Sequence, residues 1–428
     1  MTASGSAATS VTASATASAT ASVTPSPTVV TGLGIAAPNG LGTEEYWKAT
    51  LAGESGLGPV TRFDATQYPS RIAGEVPGYT AEEHIPSRLM PQTDHMTRLA
   101  LTAADWALAD AGLDTGELPE YGIGVVTAAS GGAVEFGQRE LQNLWSKGKE
   151  YVSAYQSFAW FYAVNTGQIS IRHKLRGPSG VLLTEQAGGI DSLGHARRHL
   201  RKGFSAVVAG GVDAAICPWG WVPQIASGRM STADDPARAY LPFAAEARGY
   251  VPGEGGAILV LESAEAADRR GAGHRYGEIA GYAATLDPAP GSGRPAGLGR
   301  AIENALADAG LTAGDIDVVF ADAAGVPDLD RAEAATLTAL FGARGVPVTA
   351  PKTMTGRLLA GGSALDVATA LLALRDGVIP PTAHVTAPAP EHTIDLVTEA
   401  READLRTALV LARGHGGFNA ALVVRRAS

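Results

Sequence analysis

Ala107-Leu108-Ala109-Asp110-Ala111-Gly112-Leu113 recurs residue for residue as Ala305-Leu306-Ala307-Asp308-Ala309-Gly310-Leu311. Each copy closes an amphipathic helical pattern at a glycine, the residue that ends helices because it enters the left-handed backbone region without a Cβ penalty. Each copy leads within about a dozen residues to a strand-like run. These runs are Gly122-Ile123-Gly124-Val125-Val126 and Asp317-Val318-Val319-Phe320. Such identity in the same local setting signals an internal duplication. Further strands are read at Thr28–Ile35, Ala206–Val212 and Ala257–Glu262 in the first half, and at Gly277–Ala283, Ala408–Ala412 and Ala420–Arg425 in the second. Helical stretches alternate with them, so the chain is α/β, with buried mixed sheets covered by helices. Two such halves, 28–270 and 271–428, packed face to face give a five-layered α-β-α-β-α arrangement.

The composition fits a well-buried globular protein, with 45% hydrophobic and 18% charged residues among 428. A net charge of −10 argues against nucleic-acid or anionic-membrane binding. No apolar run approaches the roughly 20 residues of a membrane span. Cys217 is the only cysteine, which rules out an internal disulfide, and its apolar neighbours predict a packed thiol. Residues 1–27 are mainly Ala, Ser and Thr without a charged side chain; they read as a disordered extension rather than a signal peptide, and a cytoplasmic protein is expected. Gly32-Leu33-Gly34-Ile35-Ala36-Ala37 loosely matches a dinucleotide fingerprint, but Pro38-Asn39-Gly40 interrupts the helix that fingerprint needs. His195 and His199 are spaced i, i+4 without an intervening glutamate, so neither a metal nor a cofactor is expected. Arg197, Arg198, Arg201 and Lys202 read as a solvated face.

Thr184-Glu185-Gln186-Ala187-Gly188-Gly189-Ile190-Asp191 follows the apolar run Val181-Leu182-Leu183 and opens a helix-like stretch. A helix N-terminus at such a turn lowers a thiol pKa and suits a nucleophile. Gln186 cannot serve as one: an amide does not ionise near neutral pH. The segment resembles the nucleophile elbow of the β-ketoacyl synthases, where a cysteine holds the position of Gln186. With glutamine there, the chain resembles the chain length factors, the ketosynthase-beta subunits of type II aromatic polyketide synthases. The resemblance runs from about Val29 to the C-terminus and implies the thiolase fold.

It also implies where the remaining catalytic groups would stand. In ketosynthases two histidines stabilise the enolate left when malonyl loses carbon dioxide. The first is replaced here by Asp322, in register with Leu329-Asp330-Arg331-Ala332-Glu333. In Lys352-Thr353-Met354-Thr355-Gly356-Arg357 the family's lysine is kept as Lys352, and Arg357 replaces the second histidine; an Arg357–Asp322 pair is expected. In Gly414-His415-Gly416-Gly417-Phe418-Asn419, His415 holds the position of the gating Phe, and bulky Phe418 stands where a small residue is usual.

The implied function is a non-catalytic subunit that pairs with a ketosynthase-alpha chain and serves acyl carrier protein-bound intermediates. The alternative is a malonyl-carrier decarboxylase acting through Gln186. The strand at about Gly180–Thr184 and the apolar stretch Phe158–Val164 are the expected interface. Gly131–Leu141 resembles the helix lining the shared polyketide tunnel, with Val134, Gly137 and Leu141 on one face; the glycine reads as room for product or as a place where the helix packs against a close neighbour.

Overall fold

The first half runs β1 (Thr28–Ala37), α1 (His95–Asp110), β2 (Ile123–Ala128), α2 (Val134–Lys147), β3 (Ser179–Leu182), α3 (Gly188–Leu200), β4 (Ala206–Asp213), α4 (Pro218–Ala226) and β5 (Gly255–Ser263). The second runs β6 (Gly277–Leu286), α5 (Gly297–Ala309), β7 (Val318–Phe320), α6 (Pro327–Phe341), β8 (Pro347–Thr349), α7 (Ala360–Asp376), β9 (Thr407–Gly414) and β10 (Phe418–Arg426). This computed structural model describes residues 26–289 and 291–427. Most of the expected disordered extension lies outside the described residues. Of that segment, Ser26 Oγ accepts the Glu265 N–H at 3.2 Å and the Pro27 carbonyl accepts the Ala264 N–H at 2.8 Å.

Strand order is β3-β2-β4-β5-β1 in the first half and β8-β7-β9-β10-β6 in the second, with the same pattern of parallel and antiparallel neighbours. Pairing of β1 with β6, at Val29↔Glu278 and Val30↔Gly277, stitches the half-sheets at one corner. Helices α1 and α5 cover the outer faces, while α3 and α7 meet between the half-sheets. Helix α7 is buried around its whole circumference from Ala360 to Leu374, as the central layer of a sandwich must be. This is the five-layered thiolase fold.

The repeated heptapeptide has a physical explanation. Strand β1 bulges at Thr31 and β6 at Ala280. Beside each bulge a helix lies flat against a glycine. A Cβ on Gly32 would come 2.1 Å from the Ala107 carbonyl oxygen, and one on Gly281 would come 2.2 Å from that of Ala305. The bulged backbone needs an acceptor for an N–H that the ladder no longer uses. Asp110 Oδ2 accepts from the Leu33 N–H at 2.8 Å, and Asp308 Oδ2 from the Tyr282 N–H at 2.9 Å. Gly112 and Gly310 then end their helices at φ of 57° and 66°. The same contact accounts for Gly34, whose Cβ would meet the Ala103 carbonyl oxygen at 1.9 Å. Pro38 and Asn39 turn the chain into a short hairpin that pairs Ala36 with Leu41, and no helix opens there.

Candidate functional site

Gln186 lies in a single 3₁₀ turn, Glu185–Ala187, between β3 and α3. The positive φ at this elbow belongs to Glu185, at 50°, and not to a glycine. Gly188 and Gly189 serve packing instead: a Cβ on Gly189 would lie 2.4 Å from the Ala364 nitrogen, so the glycine lets α3 press against α7. Gln186 is 1% exposed, and neither atom of its amide has a partner among the described residues. Its amide fills the space left by Gly362, where a Cβ would come 2.3 Å from Nε2.

Asp322 and Arg357 meet. Arg357 Nη2 donates to Asp322 Oδ1 at 3.0 Å and Nη1 donates to the Asp322 carbonyl at 2.9 Å. The Arg413 N–H adds a third bond, to Asp322 Oδ1, at 2.9 Å. Both side chains are buried. Burial alone would push the Asp322 carboxyl up, but Arg357, Lys352 and Arg413 outweigh it and hold the group below the usual carboxylate range. Lys352 Nζ sits 2.9 Å from Asp366 Oδ2 and also donates to the Ala321 carbonyl. Asp322 and Arg357, the residues expected at the histidine positions, therefore form a neutralised, internally satisfied ion pair.

The loop keeps its register through two carboxylates of α6. Glu333 accepts the N–H groups of Asp322 and Ala323 at 2.8 and 2.9 Å. Asp330 accepts those of Phe243 and Gly325, each at 2.9 Å. Burial, reinforced by the neighbouring Glu333 carboxylate, pushes Asp330 up to about 7. A carboxyl raised in the folded state stabilises the fold below its unfolded pKa, near 4, and loses that contribution as pH rises through its folded value. Stability is therefore expected to fall between about pH 4 and 7, by on the order of 1 kcal/mol per pH unit from this group. Asp330→Asn removes one acceptor at every pH but should flatten that slope. Melting temperatures at pH 5 and 8 for both chains check it; equal slopes would refute it.

A cleft of about 400 Å³ opens above the pair, lined among others by Glu185, Arg229, Tyr250, Arg357, His415 and Phe418. Gln186 is not among its walls. His415 is exposed; its N–H donates to Glu185 Oε2 at 2.7 Å, and its Nδ1 lies 3.3 Å from Arg229 Nη1.

The helix resembling the tunnel wall begins at Val134, three residues later than the stretch read from the sequence. Leu141 is 38% exposed and lines an open hollow of about 820 Å³ together with Gln138, Trp145 and Trp219. Val134 is not on that wall. Gly137 is buried beneath the Trp219 indole; a Cβ there would come 2.6 Å from Cζ3. Close packing against a neighbour thus accounts for this glycine, and the neighbour itself borders the hollow. Trp219 could not be placed from the sequence, because nothing local ties it to a helix 81 residues away.

Several large aromatic side chains are exposed: Trp145 on the wall of this hollow at 84%, and Trp160, Phe161 and Tyr162 at 44%, 43% and 39%. Strand β3, shorter than expected, is the free edge of its half-sheet, and Leu183 beyond it is 44% exposed. One expected surface residue is corrected. Arg197 is buried, not solvated: it pairs with Asp308 and donates to the Ala280 carbonyl, tying α3 to the second half. The His195 and His199 rings stand 5.7 Å apart, and no group of three metal-binding side chains occurs among the described residues. Cys217 is buried, which pushes its thiol up. No helix among the described residues is long and apolar enough to cross a membrane.

Comparisons with known proteins agree with this architecture. Residues 26–267 match the β-ketoacyl synthase N-terminal domain and residues 276–386 its C-terminal domain. The chain is 63% identical over 399 residues to the actinorhodin polyketide putative beta-ketoacyl synthase 2 of Streptomyces coelicolor, covering 93% of this chain and 98% of that one. It is 63% identical over 403 residues to the tetracenomycin polyketide synthase ketoacyl synthase beta subunit of Streptomyces glaucescens, covering 94% and 98%. Among solved structures, the ishigamide ketosynthase/chain length factor superposes with a TM-score of 0.86 at 28% identity, over 95% of this chain and 100% of that one.

Proposed function

The chain belongs to the β-ketoacyl synthase family, on its ketosynthase-beta or chain length factor branch, and from that premise we propose that it is the non-catalytic half of a heterodimer. A ketosynthase-alpha chain supplies the cysteine and histidines. Together the two extend an acyl carrier protein-bound poly-β-ketone in the cytoplasm by repeated decarboxylative condensation of malonyl units, and this chain sets the length. The observation that carries the reading is the Arg357–Asp322 pair at the two histidine positions, above a glutamine that cannot be acylated. The free β3 edge and the exposed aromatic surface supply the kind of face a stable partner covers.

Val134, Gly137 and Leu141 are proposed to bound the growing chain. A medium side chain at Leu141, with the space over Gly137 taken by the Trp219 ring, leaves room for a decaketide or longer backbone, where Phe residues would close the tunnel early. Co-expression with the alpha chain should give a one-to-one complex whose product is long. The triple substitution Val134→Phe, Gly137→Thr and Leu141→Phe should shorten the product by at least one two-carbon unit. A well-behaved monomer that ignores the alpha chain in sedimentation would refute the pairing, and unchanged product mass would refute the length assignment. Because Gln186 does not line the cleft, it is poorly placed for the alternative role of decarboxylase. Carbon dioxide released from malonyl-carrier by this chain alone would overturn that conclusion.

A further inference from the structure

Helix α4 starts badly. Its N-cap is Cys217, whose thiol makes no capping bond, and Pro218 follows at the first helical position. The first N–H groups of any helix need outside acceptors, and a thiol is a poor one. The Trp219 N–H finds its acceptor across space: Gln138 Oε1, on the exposed face of α2, takes it at 2.7 Å. Gln138 thus caps α4 from another helix. The cap falls on the residue whose indole lies over Gly137 and borders the hollow with Leu141. The adjacent glycine makes room for the ring, and the adjacent amide holds the backbone that carries it.

We propose that Gln138 is a positioning residue for product length: by accepting the Trp219 N–H it fixes the indole against α2 and so keeps one wall of the hollow in a single place. This rests on the tunnel reading above. The wall is rigid only while the acceptor is present. Without it the start of α4 loses its cap, the indole samples more than one position, and chains are released at more than one length.

The test uses the full heterodimer, reconstituted with the alpha chain, carrier protein and malonyl donor, and reads the mass distribution of products. Gln138→Leu keeps the bulk but removes the acceptor; a second product differing by one or more two-carbon units should rise to at least a tenth of the total. Gln138→Glu keeps an acceptor and should restore a single length. Gly137→Ala, which pushes the ring directly, should broaden the distribution with Gln138 intact; it decides the matter if the leucine variant does not assemble. A single unchanged length in Gln138→Leu overturns the proposal, as does equal broadening in Gln138→Leu and Gln138→Glu; where the leucine variant does not assemble, a single unchanged length in Gly137→Ala overturns it. The triple substitution separates the two readings. If it shortens the product while Gln138→Leu changes nothing, the tunnel stands and the latch falls; if it too changes nothing, the tunnel assignment itself fails.

Discussion

Replacing Arg357 with alanine is expected to destabilise the folded chain by about 3–5 kcal/mol, the cost of leaving one member of a buried ion pair alone. Asp322 is 1% exposed, at the floor of the cleft. It would keep the Arg413 N–H but lose the guanidinium that offsets its burial. The Asp322 carbonyl would lose its 2.9 Å donor in the same step. Removing both charges, as in Asp322→Leu with Arg357→Met, should recover much of the loss, since an apolar pair of similar volume is often no worse than a buried salt bridge. Urea unfolding of the heterodimer measures both. A loss below about 1 kcal/mol for Arg357→Ala would show that the pair is ornamental to the fold.

Restoring the nucleophile should restore nothing. Gln186→Cys, combined with an alpha chain whose own cysteine is removed, is expected to yield no polyketide, a drop of at least about a thousandfold from the intact pair. The cysteine would sit at a helix N-terminus, as a reactive thiol does. It would still lack the donors that condensation needs, because the Asp322 carboxylate and the Arg357 guanidinium are already bound to each other, with nothing free to hold an enolate. Mass spectrometry of the carrier-bound products decides the point. Condensation at even a few percent of the native rate would mean that Arg357 can leave Asp322 and act as a donor.

Much of this was readable before any coordinates. The heptapeptide repeat announced the doubled architecture because four of its positions do the same physical work twice: a carbonyl against a glycine, a carboxylate on a bulge, a methyl on the strand and a left-handed cap. The segment used to set the register of Asp322 also holds its loop, since Asp330 and Glu333 clamp it from a fixed distance along the chain. What could not be read depends on long-range proximity. Arg197 looks like one of four surface cations until α5 is laid beside it. Gly137 reads either as open space or as a packing contact until Trp219 is seen to fill it. Periodicity reports which face a residue shares with its neighbours on one element, and is silent on what arrives from another.

The two copies of the repeated aspartate have since diverged in their obligations. Asp110 bonds the Leu33 N–H and the Tyr276 hydroxyl; Asp308 bonds the Tyr282 N–H and the buried guanidinium of Arg197. A fragment cut before β6 would strip Arg197 of both Asp308 and the Ala280 carbonyl, and would lay bare the face of α3 that the second half covers. The seam between the halves is thus fastened by a charge pair that neither half can make alone, and severing it leaves each side without its partner.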